Sequence, residues 1–148
     1  MAKNASYEGF TEEERAAMKD RASELKGAAR GGSAAKKAEA DDKAVRDAIA
    51  AMPEADRVIA EKLYDIVKEH APDLAPKTWY GMPAYARDGK VVVFFKPAAK
   101  FKVRYAEVGF NEWAQLDDGD MWPTAFAVIA MNPGIEKKLT ALVKQAAG

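Results

Sequence analysis

Cysteine is absent from this 148-residue chain, and histidine occurs once. The first absence excludes disulfides, thiolate zinc sites, iron–sulfur ligation and cysteine nucleophiles. The second leaves a histidine metal cluster or a hydrolytic triad without the partners it needs. His70 falls in the last turn of an expected helix, where its simplest use is as a partner for the helix C-terminus. No apolar run reaches membrane-spanning length, and the opening MAKNASYEGF carries no signal-peptide core, so the expected compartment is the cytoplasm with no membrane partner. Net charge is also missing. The 23 basic and 23 acidic side chains cancel, which gives no overall pull toward nucleic acid. The Gly-rich nucleotide motifs and the G-x-S-x-G elbow do not occur, so nucleotide-fold and hydrolase chemistry lack their usual marks.

What is present suits one α+β domain. Hydrophobic residues make up 49% and charged residues 31% of the chain. Charge is unevenly spread. Gly81 to Phe110 holds six basic residues against two acidic ones, whereas Pro53 to Tyr80 holds four against six.

Phe10-Thr11-Glu12-Glu13-Glu14 reads as a helix start. Thr11 can cap the Glu14 amide while the Glu14 carboxylate returns to the Thr11 amide. The helix continues to about Lys26 with a thin apolar stripe of Met18, Ala22 and Leu25 facing inward or onto a second copy. Gly27 to Ala40, rich in Gly, Ala and Lys, reads as a linker. Residues 1–40 are thus expected to be a helix and flexible linker, and 41–148 the folded domain. Val45, Ile49 and Met52 mark a helix from Asp41. Pro53 opens a second, with Ile59, Leu63, Ile66 and Val67 on one face to about Ala71. Pro72 and Pro76 then make a stiff connection.

From Ala84 the apolar period becomes two. Asp88-Gly89 is the signal of a two-residue hairpin, pairing Arg87 with Lys90 and Tyr85 with Val92. That register turns Ala84, Ala86, Val91, Val93 and Phe95 toward the helices, and Tyr85, Arg87, Lys90, Val92, Phe94 and Lys96 the other way. Lys100 to Tyr105 alternates as a third strand, a fourth spans about Trp122 to Met131, and a helix capped by Asn132 closes the chain. The expected architecture is an antiparallel sheet of four to five strands, helices on one face, and an N-terminal helical extension.

Trp79-Tyr80-Gly81-Met82-Pro83-Ala84-Tyr85, Val92-Val93-Phe94-Phe95-Lys96, Val108-Gly109-Phe110 and Leu116 to Pro123 resemble, in this order, the YdhG-like domain family of the frataxin-like superfamily. The resemblance covers about Asp41 to Ala147. It implies a compact helix–sheet domain and, through frataxin, a role as an iron chaperone. It carries over no metal ligand onto this sequence.

Three groups of residues invite chemistry. Glu61, Asp65 and Glu69 form a line of carboxylates on one helix, able to hold iron loosely or simply to face water beside Arg57 and Lys68. Asp117-Asp118-Gly119-Asp120 lacks the spacing of a calcium loop and reads as a turn. The mixed sheet face is the best candidate. Tyr85, Phe94, Lys96, Lys102 and Arg104 would share it, and Trp79, Tyr80, Met82 and Trp122 would wall one end. Rings with convergent cations suit an anionic, partly flat small molecule. Single-stranded nucleic acid uses the same pattern but is the less expected partner. Cover by the N-terminal helix, or a homodimer through that helix or the open sheet face, is the plain alternative.

Overall fold

The structure is a computed structural model that describes residues 9–29 and 33–148. Thr11 and Glu14 make both bonds of the capping box, each at 3.0 Å, and start α1 (Glu12–Ala29). Ser33 caps Lys36 and starts α2 (Ala34–Ala50). The expected linker is therefore largely helical. Gly27 lies inside α1 and Ala34–Ala40 inside α2, because alanine favours helix and Ser33 supplies the cap. Arg30 to Gly32 fall outside the described residues. Pro53 precedes α3 (Glu54–His70), and Asn132 caps α5 (Pro133–Ala147) through the Ile135 amide, both as expected.

The fold class is α+β. Five antiparallel strands pair in sequence order: β1 (Ala75–Trp79), β2 (Met82–Arg87), β3 (Lys90–Lys96), β4 (Ala106–Phe110) and β5 (Ala125–Val128). The stiff connection after Pro72 is in fact edge strand β1, where Pro76 is tolerated because one side of an edge makes no ladder. The expected strand Lys100–Tyr105 is not formed. Instead Ala98–Phe101 make a short helix, α4, Lys102 turns left-handed at φ 53°, and β4 begins at Ala106. The cause lies far away in sequence. Asp56, 5% exposed in the first turn of α3, accepts from the amides of Ala98 and Ala99 at 3.2 and 2.9 Å and so holds α4 in place.

The Asp88-Gly89 hairpin pairs Arg87 with Lys90, and both turn residues take positive φ. One pair further on, the ladder slips. Ala86 pairs with Val91, but Tyr85 pairs with Val93, leaving Val92 as the extra residue of a bulge. Cross-strand partners share a face, so this one residue re-sorts the sheet. Tyr85 joins Val93 and Phe95 on the inner face. Ala84, Ala86 and Val91 join Phe94 on the outer face, opposite to expectation.

The inner face packs into the main core with Val45 and Ile49 of α2, Ile59, Leu63 and Val67 of α3, and Leu139 and Val143 of α5. The outer face receives α1. There Ala17 packs with Met82 and Phe101, beside Trp79, Tyr80 and Phe94.

Candidate functional site

α1 sits on the outer face in an unexpected rotation. Of its stripe, Ala22 and Leu25 face solvent, Leu25 54% exposed, and Met18 stands at the rim of the outer face. The side turned to the protein carries Glu13, Ala17, Asp20 and Glu24. Glu13 pairs with Lys102 at 3.1 Å, and Asp20 with Lys100 at 3.2 Å. Glu24 accepts from the amides of Tyr80 and Gly81 at 3.0 and 2.9 Å. Those amides are free because Tyr80 and Gly81 form the tight β1–β2 turn, both at positive φ. Gly81, at φ 77°, suits this turn because an L side chain there would be strained and its Cβ would push aside the Asp20 carboxylate. The helix docks through its acids on the cations and unpaired amides of the sheet, with Ala17 adding an apolar contact on Met82 and Phe101.

Beneath and beside α1 lies a groove of ≈ 310 Å³. Trp79, Tyr80, Met82, Phe94 and Phe101 line it, with Phe10, Ala17 and Met18 from the helix side. Trp79 meets Tyr80 edge-on and Phe94 at a tilt, both at 5.1 Å between ring centres. Gly109, the partner of Phe94 on β4, leaves room for that ring, since a Cβ there would overlap it. Lys96 is the cation of the groove and lies over the Phe101 ring at 5.1 Å. Glu14 and Glu107 share the lining, and Glu107 sits across the ladder from Lys96.

Of the nine ligand residues expected from sequence, Trp79, Tyr80, Met82, Phe94 and Lys96 come together here. The other four do not. Tyr85 is sent through the sheet to the inner face by the bulge. Lys102 caps α4 and is tied to Glu13, whose carboxyl falls below its ordinary value because Lys102 hydrogen-bonds it. Arg104 stands exposed over Tyr105, and Trp122 lies in an open cleft of ≈ 600 Å³ with Phe110, Ala114 and Asp120. That cleft is the larger, yet its lining carries acids and no cation, so we favour the groove.

Asp65 and Glu69 share a shallow recess with His70 and Glu136, while Glu61 stands apart from it. Glu61 reaches Arg57 at 3.9 Å and Glu69 reaches His70 at 3.5 Å. Among the described residues, no group of three or more His, Asp or Glu is placed to hold a metal ion. Asp117 to Asp120 turn through Gly119 at positive φ.

A second recess, ≈ 370 Å³, escaped the sequence reading. Asp42, Tyr64, Val67, Lys68, Leu74 and Tyr85 line it, with Pro72 and Pro76. The Tyr64 hydroxyl donates to Asp42 at 2.5 Å, and Arg46 donates to the other carboxylate oxygen at 2.9 Å. Burial alone would raise Asp42, but these two bonds outweigh it and hold the carboxyl below its ordinary value. Burial, and then the bond to Asp42, push Tyr64 up to about 12. Tyr85 is 1% exposed, and its hydroxyl has no hydrogen-bond partner. Of the expected ligand residues only Tyr85 lies in this recess, and the sequence alternation puts it on the opposite face of the sheet.

No family model, no curated protein and no solved structure matches this chain. Among the described residues, no helix is long and apolar enough to cross a membrane.

Proposed function

We propose that this protein is a small cytoplasmic binding module of the YdhG-like type, and that its ligand seats in the aromatic groove beside α1. The convergence of Trp79, Tyr80, Met82, Phe94 and Lys96 in that groove carries the reading. Ring-bearing walls and one cation suit a flat, largely apolar small molecule with a single acidic group directed at Lys96. The neighbouring Glu14 and Glu107 disfavour a polyanion, because each added negative charge would meet them at short range. The iron-chaperone alternative rests on the family resemblance alone, since the nominated Glu61 and Glu69 already face Arg57 and His70.

Calorimetry with 2-naphthoate as probe tests the reading. Binding should weaken about tenfold in Lys96→Ala, the order of one charge-assisted hydrogen bond. It should fall further in Trp79→Ala and stay unchanged in Arg104→Ala. Absence of binding heat, or a Lys96→Ala protein that binds as the parent does, would refute it.

A further inference from the structure

We infer that the recess between α2, α3 and the β1–β2 edge is a second binding site, for a small heteroaromatic acid. In this site a neutral ring acceptor receives a hydrogen bond from the Tyr85 hydroxyl, and the acidic group lies outward beside Lys68. This goes beyond the groove beside α1, because Tyr85 points from the opposite face of the sheet.

Tyr85 sets the inner end. A buried hydroxyl without a partner is costly, and natural cores rarely keep one idle. No neighbouring side chain hydrogen-bonds the Tyr85 hydroxyl. Asp42 accepts from Tyr64 and Arg46 and makes no bond to Tyr85. Burial above all, with the Asp42 carboxylate adding to it, pushes the Tyr85 hydroxyl far up, so it stays protonated and offers a permanent donor.

That donor selects its acceptor. A carboxylate driven inward would lose its hydration for one neutral hydrogen bond and would lie near Asp42. A ring nitrogen or carbonyl loses far less. The walls favour a ring. Tyr64 and Tyr85 stand edge to face, 6.4 Å between centres, and Val67, Leu74 and the two prolines complete an apolar slot. At the mouth, Lys68 is exposed and lies over the Tyr64 ring at 5.7 Å. An acid group there keeps much of its water and gains a cation.

The full chain, titrated by protein-observed NMR with nicotinate, benzoate and nicotinamide, tests this. Nicotinate and benzoate share shape and charge, but only nicotinate has the ring nitrogen. We expect nicotinate to bind about tenfold more tightly than benzoate, and Tyr85→Phe to abolish that preference. Lys68→Ala, at an exposed site, should weaken both acids and leave nicotinamide unchanged. Tyr85→Phe should keep or raise the melting temperature, because it removes an unpaired group. Equal or absent binding of the two acids overturns the inference. So does a Tyr85→Phe protein that melts lower with its ligand preference intact, which would mean that the hydroxyl is satisfied by a buried water only.

Discussion

Asp56 shows how one buried charge organises chain far from itself. It is the sole buried charged side chain among the described residues, and both oxygens are spent on the first amides of α4. Asp56→Ala leaves those two donors without a partner. The expected loss is about 2 kcal/mol, read as a lower urea midpoint with unchanged slope. Asp56→Asn, which keeps one acceptor oxygen, should recover about half of it. A neutral Asp56→Ala would mean that Pro97 and local packing hold α4 unaided. Gly109 is a comparable case of space rather than charge, since any side chain there displaces the Phe94 ring and with it the wall of the groove.

At the scale of elements, α1 is held by acids and one buried alanine where its sequence promised a stripe of larger apolar side chains. Glu13 lies below its ordinary value of 4.5, held there by Lys102. A group depressed in the folded state adds stability above its unfolded value and loses it as the pH falls through the folded one. The Glu13–Lys102 contact should therefore weaken as the pH drops below 4.5, and also as salt rises. The Gly81 amide resonance reports docking directly, because Glu24 accepts from it. Its acid titration should differ between the parent and Glu13→Gln. Superimposable curves would show that Glu13 contributes nothing.

The same elements show what a reader of the sequence can and cannot see. The caps at Thr11, Ser33 and Asn132 differ in legibility only because Ser33 sits in an alanine-rich run that imitates a linker. The Asp88-Gly89 turn was legible because positive φ selects its residues. The bulge at Val92 was not, since valine satisfies either face and no local signal marks the slip. That slip alone took Tyr85 out of the expected site. Lys100 to Tyr105 alternates like a strand, yet Asp56 binds the chain just before it into a helix, a contact across 42 positions. Lys102 and Arg104 left the expected site for that reason.

For the whole molecule, the consequence is a sheet covered on both faces by different means. α2, α3 and α5 bury the inner face with apolar side chains, and α1 covers the outer face through acids while leaving an aromatic groove beside it. A protein with Trp113→Phe and Trp122→Phe keeps Trp79 as its one tryptophan, and Trp79 lies under α1 within that groove. The decisive measurement is acrylamide quenching of Trp79 in this protein with and without residues 1–32. If α1 covers the groove, its removal leaves a folded domain whose Trp79 emission shifts to the red and is quenched several-fold faster. Identical emission and quenching in the two proteins would contradict the account, because the outer face would then be open whether or not α1 is there.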